Sequence, residues 1–550
     1  MKKYIAALFF VIFTFAASAE AFTPAPLNPD FIKWREGATK EAQNAESAKA
    51  RSASPVLRGG AAPAPKDMSH LKNADFSMFL NEALTDGSRP AARALSLDSA
   101  AALPVSYDLR EEGRVTPVRH QGGSPLCWIF ATNASLESNL LTQGRGEYDL
   151  SEYLFGYMSL QDVSEDKPSF SVSVDVICKN GIGLSAGNFD LTTAFMARGD
   201  GPVFEAEAPF PYDWWKQIMK FYRPSDFTPR FVLDNVYLLD FSNPAVIKAA
   251  VMKYGAVQCS IYAGYYADVE NVKSYFYSSE ATSISHCVAI VGWDDDYSKD
   301  NFVGVKDGEV PKSNGAWLIR DSYGSGPGSA HGDGYFYISY EEGSLAYPAV
   351  FIAGAEAVAG EHVYEYDPLG SVNDLDCGSE TAWGANVFTA KRGERINAVS
   401  FWANSPGTSY EVTVETGLTE GSPRGVVAAS ASGVLALSGY ARIELPSPAF
   451  VRAGEDFSVV LKVTTPGYKS PLAYEYAEEG YTEKAVNNPG KSFCSTDGEN
   501  WESIGELGDL CIKAYGTAES TGGGGCDAFG GGAVMLAAVA FFAAARVRRK

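Results

Sequence analysis

Histidine is the scarcest side chain able to trade protons near neutral pH here. There are five in 550 residues, at positions 70, 120, 286, 331 and 362. Any histidine base therefore comes from a very short set. Basic charge is scarce too. Forty-five Lys and Arg face 67 Asp and Glu, a net charge of −22, which excludes the basic surface that nucleic-acid binding needs. No zinc-ligand spacing, P-loop or dinucleotide fingerprint occurs, so no metal or cofactor is expected. Long apolar runs are absent between the two ends. What remains is globular in composition, 46% hydrophobic and 20% charged, and long enough for several domains.

The ends are special. MKKYIAALFFVIFTFAASAEAF places two lysines before an apolar run and then Ala17-Ser18-Ala19. That layout is a secretory signal peptide over 1–19. The run is short for a membrane span, which needs about 20 apolar residues. At the other end, residues 518–550 hold a glycine run with Cys526, an uncharged stretch from Ala528 to Ala545, and Arg546, Arg548, Arg549 and Lys550. This resembles the Gly/Cys, hydrophobic and basic sorting signals of diderm bacteria. It implies contact with a membrane through the tail, which is either processed or retained as a single span. Either way the middle of the chain is expected outside the cytoplasm, at the cell surface or beyond. Disulfides are permitted there. Setting aside Cys127 and Cys526, six cysteines allow fifteen full pairings. Cys494 and Cys511, close together in one β-like region, are the pair expected.

Residues 20–102 are rich in Ala, Pro and Ser. Apart from one short helical pattern at 70–84, they hold too little apolar material for a core and read as a propeptide or spacer. Residues 103–355 begin with helical patterns at 128–142, 151–160, 188–198 and 243–255. Asn243 caps the last of these, with Pro244 in its first turn. Strand patterns follow, AVQCSIYA, CVAIVGWD, GAWLIRDS and GYFYISY, so this part is α+β. Between 360 and 517, short alternating runs separated by turns indicate an all-β sandwich.

The chemistry centres on HQGGSPLCW, 120–128. A cysteine there opens a helix directly after a Gly/Pro turn. A thiol attacks carbonyls only as thiolate, and a helix N-terminus favours that form. The partner base comes from elsewhere. Of the five histidines, His286 alone opens a strongly apolar strand, HCVAIVGW.

YDLREEGRVTPVRHQGGSPLCWIFA, LSEYLF, SHCVAIVGWDDD, WLIRDSYG and GDGYFYISY occur in this order between 107 and 340. The series resembles the papain-like cysteine peptidases over about 103–350. The resemblance implies a two-lobed α+β fold, Cys127 as nucleophile and His286 as its proton partner. It also implies that Gln121 and the Cys127 N–H bind the oxyanion and that Trp128 packs beneath. The orienting position is Asp321-Ser322-Tyr323 where the family usually has Asn-Ser-Trp. An aspartate accepts the imidazole hydrogen bond equally well, but adds a charge that should move the pH profile. Ser124 stands where the family often has a disulfide cysteine. The 35 residues between His286 and Asp321 imply an insertion near 295–314. The proregion lacks a long inhibitory helix. Ala186 and Gly187 resemble the family's substrate edge, where Gly187 would pair with substrate backbone.

Asp294, Asp295 and Asp296 read as a solvated turn rather than a calcium loop. FCSTDGENWESI and DLCIKAYG give the β region a similarity to the lectin-like modules that follow some papain-type domains. Exposed Trp383, Trp402 or Trp501 would then be able to stack on carbohydrate. The expected function is a secreted or surface-tethered cysteine endopeptidase that acts on proteins or peptides through a Cys127 thioester. The rivals are a non-catalytic surface adhesin on the same scaffold and a Cys-His cell-wall amidase.

Overall fold

The computed structural model describes residues 22–37, 60–85, 103–160, 176–177, 183–211, 226–263, 274, 277–280, 283–306, 308–326 and 332–519. Signal peptide, C-terminal tail, Cys178, His331 and Cys526 lie outside them. No helix among the described residues is long and apolar enough to cross a membrane.

Five α-helices matter for the site: α1 (Ser77–Thr85), α2 (Cys127–Thr142), α3 (Glu152–Leu160), α4 (Phe189–Ala197) and α5 (Pro244–Tyr254). α2 is central and buried on nearly all sides. Its polar residues close off neighbouring main-chain groups rather than facing water. Ser135 donates to the Ala256 carbonyl at 2.7 Å, and Asn139 to that of Tyr254 at 2.8 Å. α4 begins at Asn188, whose side chain accepts from the Asp190 and Leu191 amides, an N-cap. α5 has the expected bounds and Pro244 in its first turn, but the Asn243 side chain makes no capping bond. The single helix expected at 70–84 is two pieces, a 3-10 turn at Ser69–Asn73 and then α1. Asp75 separates them by accepting from the Ser77 amide at 2.8 Å.

One antiparallel sheet runs through both halves. In chain order its strands are β1 (Ser106–Asp108), β2 (Phe231–Leu238), β3 (Val257–Ile261), β4 (His286–Asp294), β5 (Ala316–Arg320), β6 (Tyr335–Ser339), β7 (Ala346–Glu356), β8 (His362–Tyr364), β9 (Glu394–Ala403), β10 (Ser438–Val451) and β11 (Lys513–Ala518). The spatial order is β8-β11-β9-β10-β2-β7-β3-β4-β5-β6, with β1 on β4. The join is β2 with β10, in register from Leu238 opposite Ser438 to Asn235 opposite Ala441. Sequence patterning predicts two separate folding units. The pairing instead makes the β-rich half continuous with the α+β half. Within the β-rich half, a six-stranded sheet with Thr381–Thr389 and Asp456–Thr464 near its middle packs against the joined sheet, around Val412, Phe457 and Leu461.

The described residues before 103 contribute to cores built mainly by the rest of the chain. Thr23–Pro24 pairs with Asn373–Asp376 of the β-rich half. Phe31 is buried against Tyr481, and Phe79 lies in the core that holds α5. Cys494 and Cys511 are not bonded; both are free, as are Cys127, Cys259, Cys287 and Cys377. Their proximity in sequence misleads because they face different cores. Cys494 joins Phe457 and Leu461, whereas Cys511 joins Tyr440 and Ala473.

Candidate active site

Cys127 is the first residue of α2, preceded by Leu126, which offers no side-chain cap. The first turn's amides therefore lie beside the thiol, where a helix favours negative charge. The Cys287 N–H donates to Cys127 Sγ at 3.3 Å. Burial pushes the Cys127 thiol well above its usual range; the neighbouring Cys287 thiol and the Asp321 carboxylate push the same way.

His286 opens β4 opposite Ile261 of β3. Asp321 directly follows β5. The β4–β5 pairing, Ala289 opposite Arg320, carries the two side chains to the same end of the sheet. His286 Nε2 lies 2.8 Å from Asp321 Oδ1, and that oxygen also accepts the Ser322 amide at 2.7 Å. The Tyr323 ring, where the family places tryptophan, stacks on His286 with centroids 5.5 Å apart and planes 21° apart.

Gln121 is tied to the same loop. Its amide N–H donates to the Ser322 carbonyl at 2.7 Å, and its Oε1 accepts from Ser322 Oγ at 2.5 Å. Its Nε2 donates to the Ser124 carbonyl at 2.7 Å, which uses one of the amide's two hydrogens. Ser322 thus braces Gln121 against the residue beside Asp321. Sequence reasoning gave Ser322 no such role, although it sits inside a quoted motif.

Trp128 is fully buried, and its Nε1 donates to the Ser185 carbonyl at 3.2 Å. A Cβ on Gly187 would come within 2.5 Å of the Trp128 ring. Glycine is required there so that the main chain can lie flat on the indole. Ala186 is buried beside it.

The cleft is filled by the chain itself. Residues 60–66, GAAPAPK, form a strap across it. Gly60 accepts from the Gly187 N–H at 3.0 Å, and the Ala62 N–H donates to the Gly187 carbonyl at 2.9 Å. Ala61 and Gly187 form a parallel bridge. A Cβ on Gly60 would stand 2.7 Å from Cys127 Sγ. Further along, Asn188 Nδ2 donates to the Pro63 carbonyl at 3.3 Å. The strap then passes to the β-rich half, where Lys66 Nζ pairs with Asp374 Oδ1 at 2.8 Å. Nothing in the Ala/Pro-rich strap signals this path except its one lysine.

Cys127, His286, Asp321, Gln121 and Gly187 are therefore brought together around one peptide-filled cleft. Behind it lies a buried polar group that the sequence did not reveal. Glu137 accepts from Thr116 Oγ1 at 2.5 Å and from the Leu150 amide at 2.9 Å. Arg320 donates to the same Thr116 oxygen at 3.0 Å. Among the other described histidines, His70 stacks on Tyr468, His120 flanks Tyr323, and His362 lies 3.4 Å from Glu394. The Asp294–Asp296 turn holds Asp295 against Lys248 and against the Tyr340 hydroxyl, and no cluster able to hold a metal occurs among the described residues. Trp402, proposed above as exposed, is buried in the core instead. Trp383 and Trp501 are half-buried.

Comparison with known proteins agrees with this geometry. Residues 103–349 match the papain family cysteine protease model, and residues 363–516 match a lectin like domain. Cysteine proteinase 1 of Entamoeba histolytica is 23% identical over 262 residues, 47% of this chain and 70% of that protein. Across the curated relatives it matches, the chain spans from about half to about three quarters of their length. The crystal structure of the cysteine protease and lectin-like domains of Cwp84, a surface layer associated protein of Clostridium difficile, superposes with a TM-score of 0.68 at 23% identity. It covers 91% of this chain and 99% of that one. Cwp84 after propeptide cleavage gives a TM-score of 0.64 at 25% identity, covering 75% and 99%. The chain carries a papain-family cysteine protease domain followed by a lectin-like domain.

Proposed function

We propose that the chain is an exported cysteine endopeptidase, working at or beyond the cell surface, with residues 20–102 as its propeptide. One observation carries this reading: a peptide already lies in the cleft, its main chain paired with Gly187 and its own Gly60 lying against the Cys127 thiol. A cleft that holds one peptide by its backbone can hold another.

Cys127 is the nucleophile. His286, held through Nε2 by Asp321, exchanges the thiol proton through Nδ1 and later delivers a proton to the leaving amine. The second hydrogen of Gln121 Nε2 and the Cys127 N–H stabilise the oxyanion, about 3 kcal/mol each. A thioester forms as the amine leaves, and water that gives up a proton to His286 hydrolyses it. While the strap covers Cys127, burial holds the thiol neutral; removing the strap returns water and activates it. Export rests on the N-terminal pattern and on the surface-layer association of Cwp84. Membrane contact through residues 518–550 rests on their sequence alone. Carbohydrate binding by the lectin-like domain rests on that match and on half-buried Trp383 and Trp501; a glycan array with the full chain tests it.

The test is casein hydrolysis by residues 20–520 after strap removal, beside Cys127→Ala, with a thiol-directed epoxide and mapping of the labelled peptide. Cys127-dependent hydrolysis with label on Cys127 is expected. No hydrolysis and no label would turn the reading toward an adhesin, and release of muropeptides instead of peptides would turn it toward an amidase. In Asp321→Asn, which keeps the hydrogen bond and removes the charge, the pH–rate profile should move. An unmoved profile would exclude a role for that charge.

A further inference from the structure

Lys66 sits in a slot that the lectin-like half builds for an ammonium group. Its Nζ is 2.8 Å from Asp374 Oδ1 and 3.1 Å from Asn404 Oδ1. It also lies 4.8 Å above the Trp402 ring, a cation–π distance. The slot does not depend on the lysine for its shape. Asn404 Nδ2 donates to Asp374 Oδ1 at 2.9 Å and to the Ser470 carbonyl at 3.1 Å. The Tyr468 hydroxyl donates to Asp374 Oδ2 at 3.1 Å. On the protease side, Asp190 in the first turn of α4 is buried, and its Oδ2 has no hydrogen-bond partner. The Asp374 carboxylate, the Asn404 amide oxygen and the Trp402 indole face thus converge on one cation.

The slot is continuous with the cleft. Gly60 touches the Cys127 thiol, and Lys66 follows six residues later through Ala-Ala-Pro-Ala-Pro. At about 3.1 Å per residue for such an extended chain, that is roughly 19 Å.

We infer that, once the strap is removed, the Asp374–Asn404–Trp402 slot is a remote specificity subsite. It accepts a lysine side chain of the protein substrate about six residues from the scissile bond, on the side that pairs with Gly187. The inference rests on the peptidase reading above and assigns the lectin-like half a share in choosing the peptide. An emptied slot leaves the buried Asp374 without its cation, and a substrate lysine restores what Lys66 supplied.

The experiment uses the full chain nicked ahead of Leu103 and freed of its strap. Fluorogenic peptides carry a single lysine walked through positions four to eight on either side of the cleaved bond, against norleucine and glutamate at the same position. At one position near the sixth, lysine should raise kcat/KM about tenfold over norleucine, and glutamate should lower it. In Asp374→Asn the lysine-to-norleucine ratio should collapse toward one. A ratio within twofold at every position in the unsubstituted protein overturns the inference. If no peptide is cut at all, it is the peptidase reading that fails. The slot is then judged with the strap-free Cys127→Ala chain and a labelled peptide of residues 58–70. Norleucine in place of Lys66 should weaken binding about tenfold, and equal affinity overturns the slot.

Discussion

The strap meets the molecule in two places and presents a different part of itself to each. At Cys127 it offers main chain, with a glycine that has no side chain and alanine methyl groups that make no specific contact. Its hydrogen bonds there run between the backbones of Gly60, Ala62 and Gly187. At Asp374 it offers one charged side chain to an ion pair, an amide and an indole. The first place reads a peptide as a peptide; the second reads which peptide. The protease half therefore supplies the chemistry and a backbone edge, and discrimination by side chain is placed in the lectin-like half.

The largest effect is expected from Lys66→Met in the intact chain. It leaves Asp374 buried without its cation, and removing one partner of a buried pair costs about 3–5 kcal/mol. The strap should loosen, so that a thiol-directed epoxide labels Cys127 at least tenfold faster than in the unsubstituted protein. An unchanged labelling rate would mean that the slot does not hold the strap. Next is Gly60→Ala. A methyl group there collides with Cys127 Sγ and the Pro125 carbonyl, and overpacking of this kind costs about 1–3 kcal/mol. Labelling should also speed up, by less than in Lys66→Met. The opposite ranking would move the anchor from the slot to the cleft.

A smaller effect concerns pH. Burial pushes the Asp190 carboxyl up to about 7, with Lys66 opposing the rise and Asp374 adding to it. The unfolded chain releases this proton near pH 4, while the folded chain keeps it to about pH 7. Between those values the folded state binds more protons, so this group's stabilisation is greatest below about pH 4 and is lost as pH rises through about 7. Melting temperatures at pH 4.5 and 7.5 should fall with pH, and Asp190→Asn should reduce the fall by a few degrees. An identical fall in both proteins would remove Asp190 as its source. The smallest effect is a null one. Six described cysteines are free, so reductant should leave the melting temperature unchanged, and at least six thiols should titrate after unfolding without reductant.

Much of the site was legible because its signals are local. A Gly/Pro turn before Cys127, a histidine at the head of an apolar strand and an Asp-Ser-Tyr after another each lie within a few residues. So do the proline and glycine that bound α5. The strap was not legible, because backbone hydrogen bonds need no particular side chain and Ala-Pro repeats look like spacer. Its anchor was a single lysine whose partners, Asp374 and Asn404, belong to separate β segments far along the chain, Asn404 being 338 positions on. Trp402 shows the same limit: a tryptophan in an alternating run points inward or outward by register, and only the cation above it shows which. The joined sheet was hidden as well, since strand patterns say that a strand exists and not which distant strand it meets.

That joint has a consequence for how the protein is made. The Ser438 hydroxyl meets the Leu238 carbonyl across 200 positions of sequence, so a chain synthesised from its N-terminus exposes one margin of β2 long before β10 exists. An open strand margin invites unwanted partners. The hydrolytic half thus cannot be finished first and left to wait. Its last neighbour arrives with the module behind it, and a ribosome that stops after residue 356 delivers an unsealed sheet. Completion of the lectin-like module acts as the clock that sets when the hydrolase becomes whole.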